Sequence, residues 1–428
     1  MLRIIDKNES VYLEIQFLGG ASEVGRSAIL IKDEKKILLD YGIKIDDKTE
    51  YPMQVGGVDI AVLSHAHLDH SGFFPALFFG NYPTTIMTEP TAQLSELLIK
   101  DSMKINRRQH IKQNFFKKQL NLLMSKYIKY EYGVPIENNG YYITLYDAGH
   151  ISGSAITLIE KISNDKKIVY TGDFKLQPQI LQGSADIVEG NVLIIESTYA
   201  NKEHPDRSEL IRKFINEVKE VIDNNGTALV PSFAVGRAQE ILAMLYMNKL
   251  IDYTYIDGMA KAASEIVINY PEFTRNKDIL LGALKNAHWI GMHAERSEPL
   301  QRPSIIVTTA GMLNGGPALD YITKLNKNSK IFLTGYQVEG TNGRRLMEGK
   351  PIKINSRKFK VETPFEFFDF SAHAGKADLY EYVRRSNPET VICVHGDNEN
   401  TKLFAETLRL EGFDTYAPKV GDKIKIDF

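Results

Sequence analysis

The chain has a single cysteine, Cys393, so no intrachain disulfide can form. That excludes a disulfide scaffold and fits a reducing compartment. It also leaves His and carboxylates as the only strong metal ligands. No stretch approaches the ~18 consecutive apolar residues that a membrane span needs. The N-terminal segment Met1 to Lys7 lacks an apolar core. The chain is therefore expected to be cytoplasmic, with no membrane partner. Net charge is also lacking: 52 Lys and Arg stand against 54 Asp and Glu, leaving −2. No global positive field attracts a polyanion, so a nucleic acid would need a local basic patch. There are no internal repeats and no low-complexity tracts.

What is present is a globular chain of 428 residues, 43% hydrophobic and 25% charged. That length exceeds one ordinary core, so two lobes are expected. The first part reads as short strands: Tyr12 to Leu18, Ser27–Ile31 and Lys36–Asp40, the last two joined by a hairpin turn at Asp33-Glu34. Ile60–Leu63 is a buried strand, and Ser71–Phe79 reads as helical. Tyr141–Asp147, Ala155–Ile159, Lys167–Tyr170 and Val192–Ile195 are further strands. Between them, Thr91 to Glu131 reads as one polar helical stretch. It carries Lys100, Lys104, Arg107, Arg108, Lys112, Lys117 and Lys118, with Phe115 and Phe116 interleaved. A solvated helix face explains it, and a phosphate-contacting face is the alternative. After Glu196 strands and helices alternate. Leu210, Phe214, Val218 and Val221 repeat at helical spacing. Gly226–Phe233, Ile305–Thr308 and Ile331–Thr334 read as strands and Ala238–Leu250 as a helix, which implies a parallel α/β lobe. From Phe370 the chain resumes with a helix at Lys376–Arg385, a strand at Val391–Val394 and a helix at Leu403–Leu410. Metal-type residues reappear here, so the second lobe reads as inserted into the first.

The strongest signal is Ser64-His65-Ala66-His67-Leu68-Asp69-His70, after a strand and before a helix. Four potential ligands in six residues are costly to pack without a metal. Imidazole and carboxylate suit zinc, with manganese and iron as alternatives. His150, Asp173 and His395 each sit where a strand meets a loop. His65, His67 and His150 can hold one metal, and Asp69, His70 and His395 a second, with Asp173 shared. Two metals roughly 3.5–4 Å apart would activate a bridging hydroxide and clamp phosphoryl oxygens. Asp69 and Asp173 would thus serve catalysis as well as binding. Asp40, in Leu38-Leu39-Asp40-Tyr41-Gly42, could orient a ligand His; an ordinary turn Asp is the alternative. Glu196 and His373 invite an acid–base pair, in which the carboxylate keeps the imidazole protonated.

Together these motifs resemble the β-CASP branch of the metallo-β-lactamase superfamily. Asp40, the His65-x-His67-x-Asp69-His70 run, His150 and Asp173 match the superfamily pattern, and Glu196, His373 and His395 the β-CASP additions. Closer still is a likeness to archaeal relatives of the nuclease subunit of the cleavage and polyadenylation specificity factor. Gly19–Ser27, Pro231–Glu240, Gly311–Pro317 and Thr334–Thr341 carry it. Ribonuclease J is somewhat less similar. The resemblance implies an αββα metallo-β-lactamase sandwich with an inserted α/β β-CASP domain. The expected division is 1–199 for the first part of the core, 200–370 for the insertion and 371–428 for the second part of the core. It also implies a zinc-dependent ribonuclease with two zinc ions per chain, acting on single-stranded RNA as an endonuclease, a 5′-to-3′ exonuclease or both. A His at the position of His395 goes with RNA rather than DNA in that family. Ser232 and Arg237 are then expected RNA phosphate contacts, Arg237 alternatively pairing with a nearby acid. Gly311, Gly315 and Gly316 allow backbone to approach RNA or form ordinary turns. A homodimer and a larger RNA-processing complex are implied in the same way.

The pattern departs from the family in places. Gly375 replaces the usual Asp two residues after His373. Because Met1 lies close to the first strand, no N-terminal KH-type domain is expected. With 33 residues after His395, the C-terminal domain of bacterial ribonuclease J is expected to be absent. Three other functions compete. A lactonase or thioesterase would leave Glu196, His373 and the insertion unexplained. A DNA nuclease conflicts with His395, and a non-catalytic subunit would have lost ligands.

Overall fold

From Tyr12 to Phe17 every second side chain is buried, the pattern of a strand with one face on a core. In a computed structural model, which describes residues 12–45, 48–80, 82–354 and 357–427, Tyr12–Gly19 belongs to a seven-stranded sheet. Its order is Lys423–Asp427, Tyr12–Gly19, Ala28–Lys32, Lys36–Leu39, Ile60–Val62, Thr84–Thr88 and Ile128–Tyr130. Asp33 and Glu34 lie in the expected hairpin turn, with Lys32 opposite Lys36. A second seven-stranded sheet runs Asp414–Tyr416, Thr390–Val394, Val192–Glu196, Lys167–Tyr170, Ala155–Lys161, Tyr141–Asp147 and Ile136–Asn138. The sheets face each other, so that Ile15, Phe17 and Ile29 of the first share a core with Ile143, Ile168 and Ile194 of the second. Helices cover both outer faces. Ile99, Leu120 and Leu123 pack on the first sheet, and Leu379, Val383 and Phe404 on the second. This is an αββα sandwich.

Strand direction brings the site together. Lys36–Leu39 and Ile60–Val62 are parallel. Lys167–Tyr170, Val192–Glu196 and Thr390–Val394 are parallel to one another. Tyr141–Asp147 runs the same way, since two antiparallel pairings through Ala155–Lys161 separate it from Lys167–Tyr170. The loops that leave these C-terminal ends meet at one edge of the sandwich.

Between residues 227 and 367 the chain builds a separate sheet of six strands. The order is His288–Trp289, Thr254–Asp257, Ser304–Thr308, Thr227–Pro231, Lys330–Leu333 and Phe365–Phe367, and every pairing is parallel. Phe214 and Val218 of the helix Arg207–Asp223 pack on one face beside Ile241 and Ala263. Leu313, Tyr321 and Leu346 pack on the other. The chain then returns to the sandwich, where Thr390–Val394 lies between Asp414–Tyr416 and Val192–Glu196. No helix of the described residues is long and apolar enough to cross a membrane.

Several local expectations are corrected. Ser71–Phe79 is not one helix: a short helix Leu68–Ser71 is followed by a 3-10 turn, Phe74–Phe78, that carries Pro75 in its first turn. The stretch from Thr91 to Glu131 is two helices, Glu89–Arg108 and Lys117–Lys126, and a strand, Ile128–Tyr130. Between the helices His110 adopts φ 56°, a left-handed conformation that a continuing helix does not allow. Leu403–Leu410 is the later part of Asn398–Leu410, whose N-cap Asp397 accepts from the Asn400 amide at 2.8 Å.

Candidate metal centre

Ile60–Val62 delivers Ser64 to His67 to the sandwich edge, and the helix Leu68–Ser71 turns Asp69 and His70 back beside them. Gly42 makes this approach possible: a Cβ there would sit 1.7 Å from the Asp69 carbonyl oxygen. His65, His67, His150 and Asp173 form one set of ligand atoms that could hold a metal ion. Asp69, His70, Asp173 and His395 form a second. Asp173 divides its carboxylate between them. Its Oδ2 lies 3.6 Å from His65 Nε2 and 3.9 Å from His150 Nε2. Its Oδ1 lies 3.3 Å from His70 Nε2 and 3.1 Å from His395 Nδ1. Asp69 Oδ2 is 3.5 Å from His395 Nε2.

Outer contacts decide which imidazole nitrogen faces inward. His150 Nδ1 lies 2.9 Å from the Ala372 carbonyl, which can only accept, so Nδ1 carries the proton. Its Nε2 is left as a lone pair, 3.1 Å from His67 Nδ1. Two zinc–nitrogen bonds of about 2.05 Å at the tetrahedral angle would hold two nitrogens about 3.3 Å apart. Asp40 plays the corresponding part for His70, at 2.7 Å from Nδ1. Asp40 also accepts from the Ser64 amide at 2.7 Å, the Ser64 hydroxyl at 2.8 Å and the Tyr170 hydroxyl at 2.7 Å. With its proton given to Asp40, the Ser64 hydroxyl accepts from His65 Nδ1 at 3.1 Å. His65 Nε2, His70 Nε2, His395 Nε2 and Asp173 Oδ1 are buried and have no hydrogen-bond partner. Converging buried polar atoms of this kind, without partners of their own, fit a bound cation. Burial, the largest effect, pushes His65, His67 and His150 below the usual imidazole range and keeps them neutral.

Backbone conformation contributes. Asp40 and His395 adopt φ of 58° and 49°, left-handed values that turn each side chain out of its strand. Gly149, at φ +65°, precedes His150 where a Cβ would lie 2.6 Å from the Lys175 carbonyl oxygen. Here only glycine fits.

Glu196 and His373 form the expected pair beside these sets. His373 Nδ1 lies 3.0 and 3.2 Å from the two Glu196 oxygens and 3.8 Å from Asp173 Oδ2. Glu196 is fixed by the Phe174 amide at 3.0 Å and the Thr198 hydroxyl at 2.6 Å. Burial alone would lower the His373 imidazole, but Glu196 and Asp173 outweigh it and push it up to about 9.

The inserted lobe brings one of its two expected contacts to this edge. Arg237, 8% exposed, lines a small cavity with His150 and Ala372. Its Nε and one terminal nitrogen have no hydrogen-bond partner. Burial, opposed by Glu240 and Asp369, brings its guanidinium down to about 10. Glu240 instead pairs with Arg207 at 2.9 Å. Ser232 is not brought to the edge as an open donor: it is buried, with its hydroxyl 3.3 Å from that of Thr334.

Sequence reasoning missed Ser64, Tyr170, Thr198 and Lys175. The Lys175 ammonium donates to the His373 carbonyl at 2.9 Å. Ser64 and Thr198 adjoin recognised motif residues, which was the only signal available for them. Tyr170 and Lys175 act across the fold on partners far away in sequence.

Residues 29–198 match the metallo-beta-lactamase superfamily domain, 238–346 the Beta-Casp domain, and 359–418 the Zn-dependent metallo-hydrolase RNA specificity domain. The protein named Probable RNase MJ4 of Methanocaldococcus jannaschii is 39% identical across 97% of this chain and 100% of its own length. RNase aCSPSF2 of Saccharolobus solfataricus is 35% identical across 96% of this chain and 85% of its own. Transcription termination factor FttA of Methanocaldococcus jannaschii is 33% identical across 97% of this chain and 72% of its own. With those three domains in order along one chain, and relatives aligned over nearly all of it, the protein belongs to the β-CASP family of metallo-β-lactamase-fold metallo-hydrolases.

Proposed function

We propose that this chain is a zinc-dependent ribonuclease that hydrolyses phosphodiester bonds of single-stranded RNA in RNA processing or decay. It acts in the cytoplasm, as an endonuclease, a 5′-to-3′ exonuclease or both. The observation that carries the reading is the pair of ligand sets sharing Asp173, with the His373–Glu196 pair against them. The names of the two relatives called RNases support the RNA substrate.

In this reading His65, His67 and His150 would hold one zinc ion and Asp69, His70 and His395 the other, with Asp173 reaching both ligand sets. Bound there, zinc would supply Lewis-acid charge that activates water and offsets charge on the phosphoryl oxygens. The chain's own residues do the rest. Asp40 fixes the His70 tautomer. His373 donates Nδ1–H to Glu196, and in its charged form the second proton, on Nε2, is offered to the leaving oxygen or to the scissile phosphate. Arg237 gives its unpaired guanidinium nitrogens to an RNA phosphate. Ser232 can join it only by releasing the Val230 carbonyl and Thr334. The proposed division is 1–199 and 371–428 for the core and 200–370 for the β-CASP lobe; residues 1–11, 46–47, 81, 355–356 and 428 lie outside the described residues. A homodimer and a place in a larger RNA-processing complex belong to the same proposal.

The test uses unstructured circular RNA and matched linear RNA bearing a 5′-monophosphate. Cleavage of the circle establishes endonuclease action. Release of mononucleotides from the linear RNA alone establishes a 5′-to-3′ exonuclease. If neither RNA is cleaved by zinc-loaded protein, the proposal fails.

A further inference from the structure

Residues 102–130 contain eight Lys and Arg and no Asp or Glu, in a chain whose net charge is −2. They cover the end of the helix Glu89–Arg108, the following loop, the helix Lys117–Lys126 and the strand Ile128–Tyr130. Lys104, Arg107, Arg108, Lys112, Lys117 and Lys118 are all exposed. Among the described residues none of these six has a carboxylate within ion-pair distance, although Lys100 and Lys129, nearby, pair with Glu96 and Glu89. The loop is folded back on its helix: the Gln113 side-chain amide donates to the Met103 carbonyl at 3.2 Å.

A face that merely meets solvent would not need aromatics. Phe116 is 64% exposed and Phe79 is 53% exposed, yet the two rings meet edge to face at 6.2 Å. Neighbouring Phe115 is buried, so the exposure of Phe116 is not a consequence of a loose loop. Lys126 lies 5.2 Å from the ring of Tyr82, itself exposed. Unpaired cations interleaved with open aromatic rings suit a single strand, whose phosphates meet the cations and whose bases stack on the rings.

The position of this arm gives it meaning. The Thr88 and Thr91 hydroxyls both donate to the Gly153 carbonyl, at 2.7 and 2.8 Å, so the helix Glu89–Arg108 starts beside the loop that carries His150. At about 1.5 Å per residue, Arg108 lies about 28 Å further along the axis. We infer that this arm is a second docking surface for single-stranded RNA, which holds the strand at a distance from the metal centre and feeds it toward the His150 edge. The inference rests on the ribonuclease reading above. Charge decides against a basic protein partner; among the described residues Asp101 is the one acid that acts on Lys104 and Arg108, and the row of cations fits a polyanion better than a second copy of this nearly neutral chain.

The experiment compares zinc-loaded wild-type protein with the triple variant Arg107→Glu, Arg108→Glu, Lys112→Glu and with Phe116→Ala. Substrates are polyuridylate and the small diester bis(4-nitrophenyl) phosphate. For the triple variant, KM for polyuridylate rises about tenfold or more, with kcat within about twofold. The slope of log(kcat/KM) against log salt flattens by about 2, since each of the three phosphates no longer neutralised accounts for about 0.7. Phe116→Ala raises KM without changing the salt slope. Hydrolysis of the small diester is unchanged in both, which reports an intact fold and centre. An unchanged polyuridylate KM in an active triple variant overturns the arm, and so does a shift in sedimentation mass without a change in RNA kinetics. Failure of the wild-type protein to cleave either substrate overturns the ribonuclease reading instead.

Discussion

Asp40→Asn isolates the part a buried carboxylate plays without replacing any of the proposed metal ligands. Asn tolerates left-handed backbone nearly as well as Asp, so the φ of 58° adds little strain. Asp40 Oδ2 receives the Ser64 hydroxyl, the Tyr170 hydroxyl and His70 Nδ1, while Oδ1 receives the Ser64 amide alone. The Asn oxygen therefore takes the Oδ2 position and keeps three donors. The new NH2 then faces the Ser64 N–H, donor against donor, in a site with no exposure. One buried unsatisfied amide costs about 1–3 kcal/mol of stability. Loss of the negative charge beside His70 weakens zinc at that set by about 10- to 100-fold. The other set, held through His65, His67 and His150, is affected less, because only Ser64 links it to Asp40. Competition against a chromophoric chelator resolves two binding steps, of which one shifts and one stays. Two unshifted steps would refute the orienting role of Asp40. Equal weakening of both would show that Asp40 acts on the fold as a whole and not through His70.

Asp173→Ala should release both metal ions, since each of its oxygens faces a different ligand set; elemental analysis that still finds two per chain contradicts the bridge. His67→Ala or Asp69→Ala should abolish cleavage and leave the far-ultraviolet circular dichroism spectrum nearly unchanged; cleavage at the wild-type rate would contradict the site. His373→Ala should lower kcat by about 10²- to 10⁴-fold and change RNA affinity far less; a loss confined to binding moves His373 to a phosphate-holding role. Arg237→Met should raise the melting temperature, because a buried cation with unpaired nitrogens is removed, while KM for RNA rises. A lower melting temperature with unchanged KM would mark Arg237 as structural.

The parts of the fold and site that could be read from sequence were those encoded locally. His65, His67, Asp69 and His70 lie within one turn of chain, and His150, Asp173 and His395 each follow a strand whose apolar run is plain. The geometry then depends on parallel strand directions, which bring those ends to one edge. What escaped the sequence is held by contacts between distant segments. The Ala372 carbonyl that sets the His150 tautomer is 222 residues away, and the Tyr170 hydroxyl on Asp40 is 130 away. Ser232 was expected to contact an RNA phosphate; its burial beside Thr334 is a property of the assembled sheet. The break between the helices Glu89–Arg108 and Lys117–Lys126 was hidden because polar, helix-compatible residues run through it, and no Gly or Pro marks the turn at His110.

The most direct measurement is native mass spectrometry of the purified chain in parallel with RNA cleavage. Two zinc ions per chain, with cleavage lost on chelation and regained as the second ion returns, is the result expected from two ligand sets sharing Asp173. Full cleavage by protein carrying no metal would contradict it.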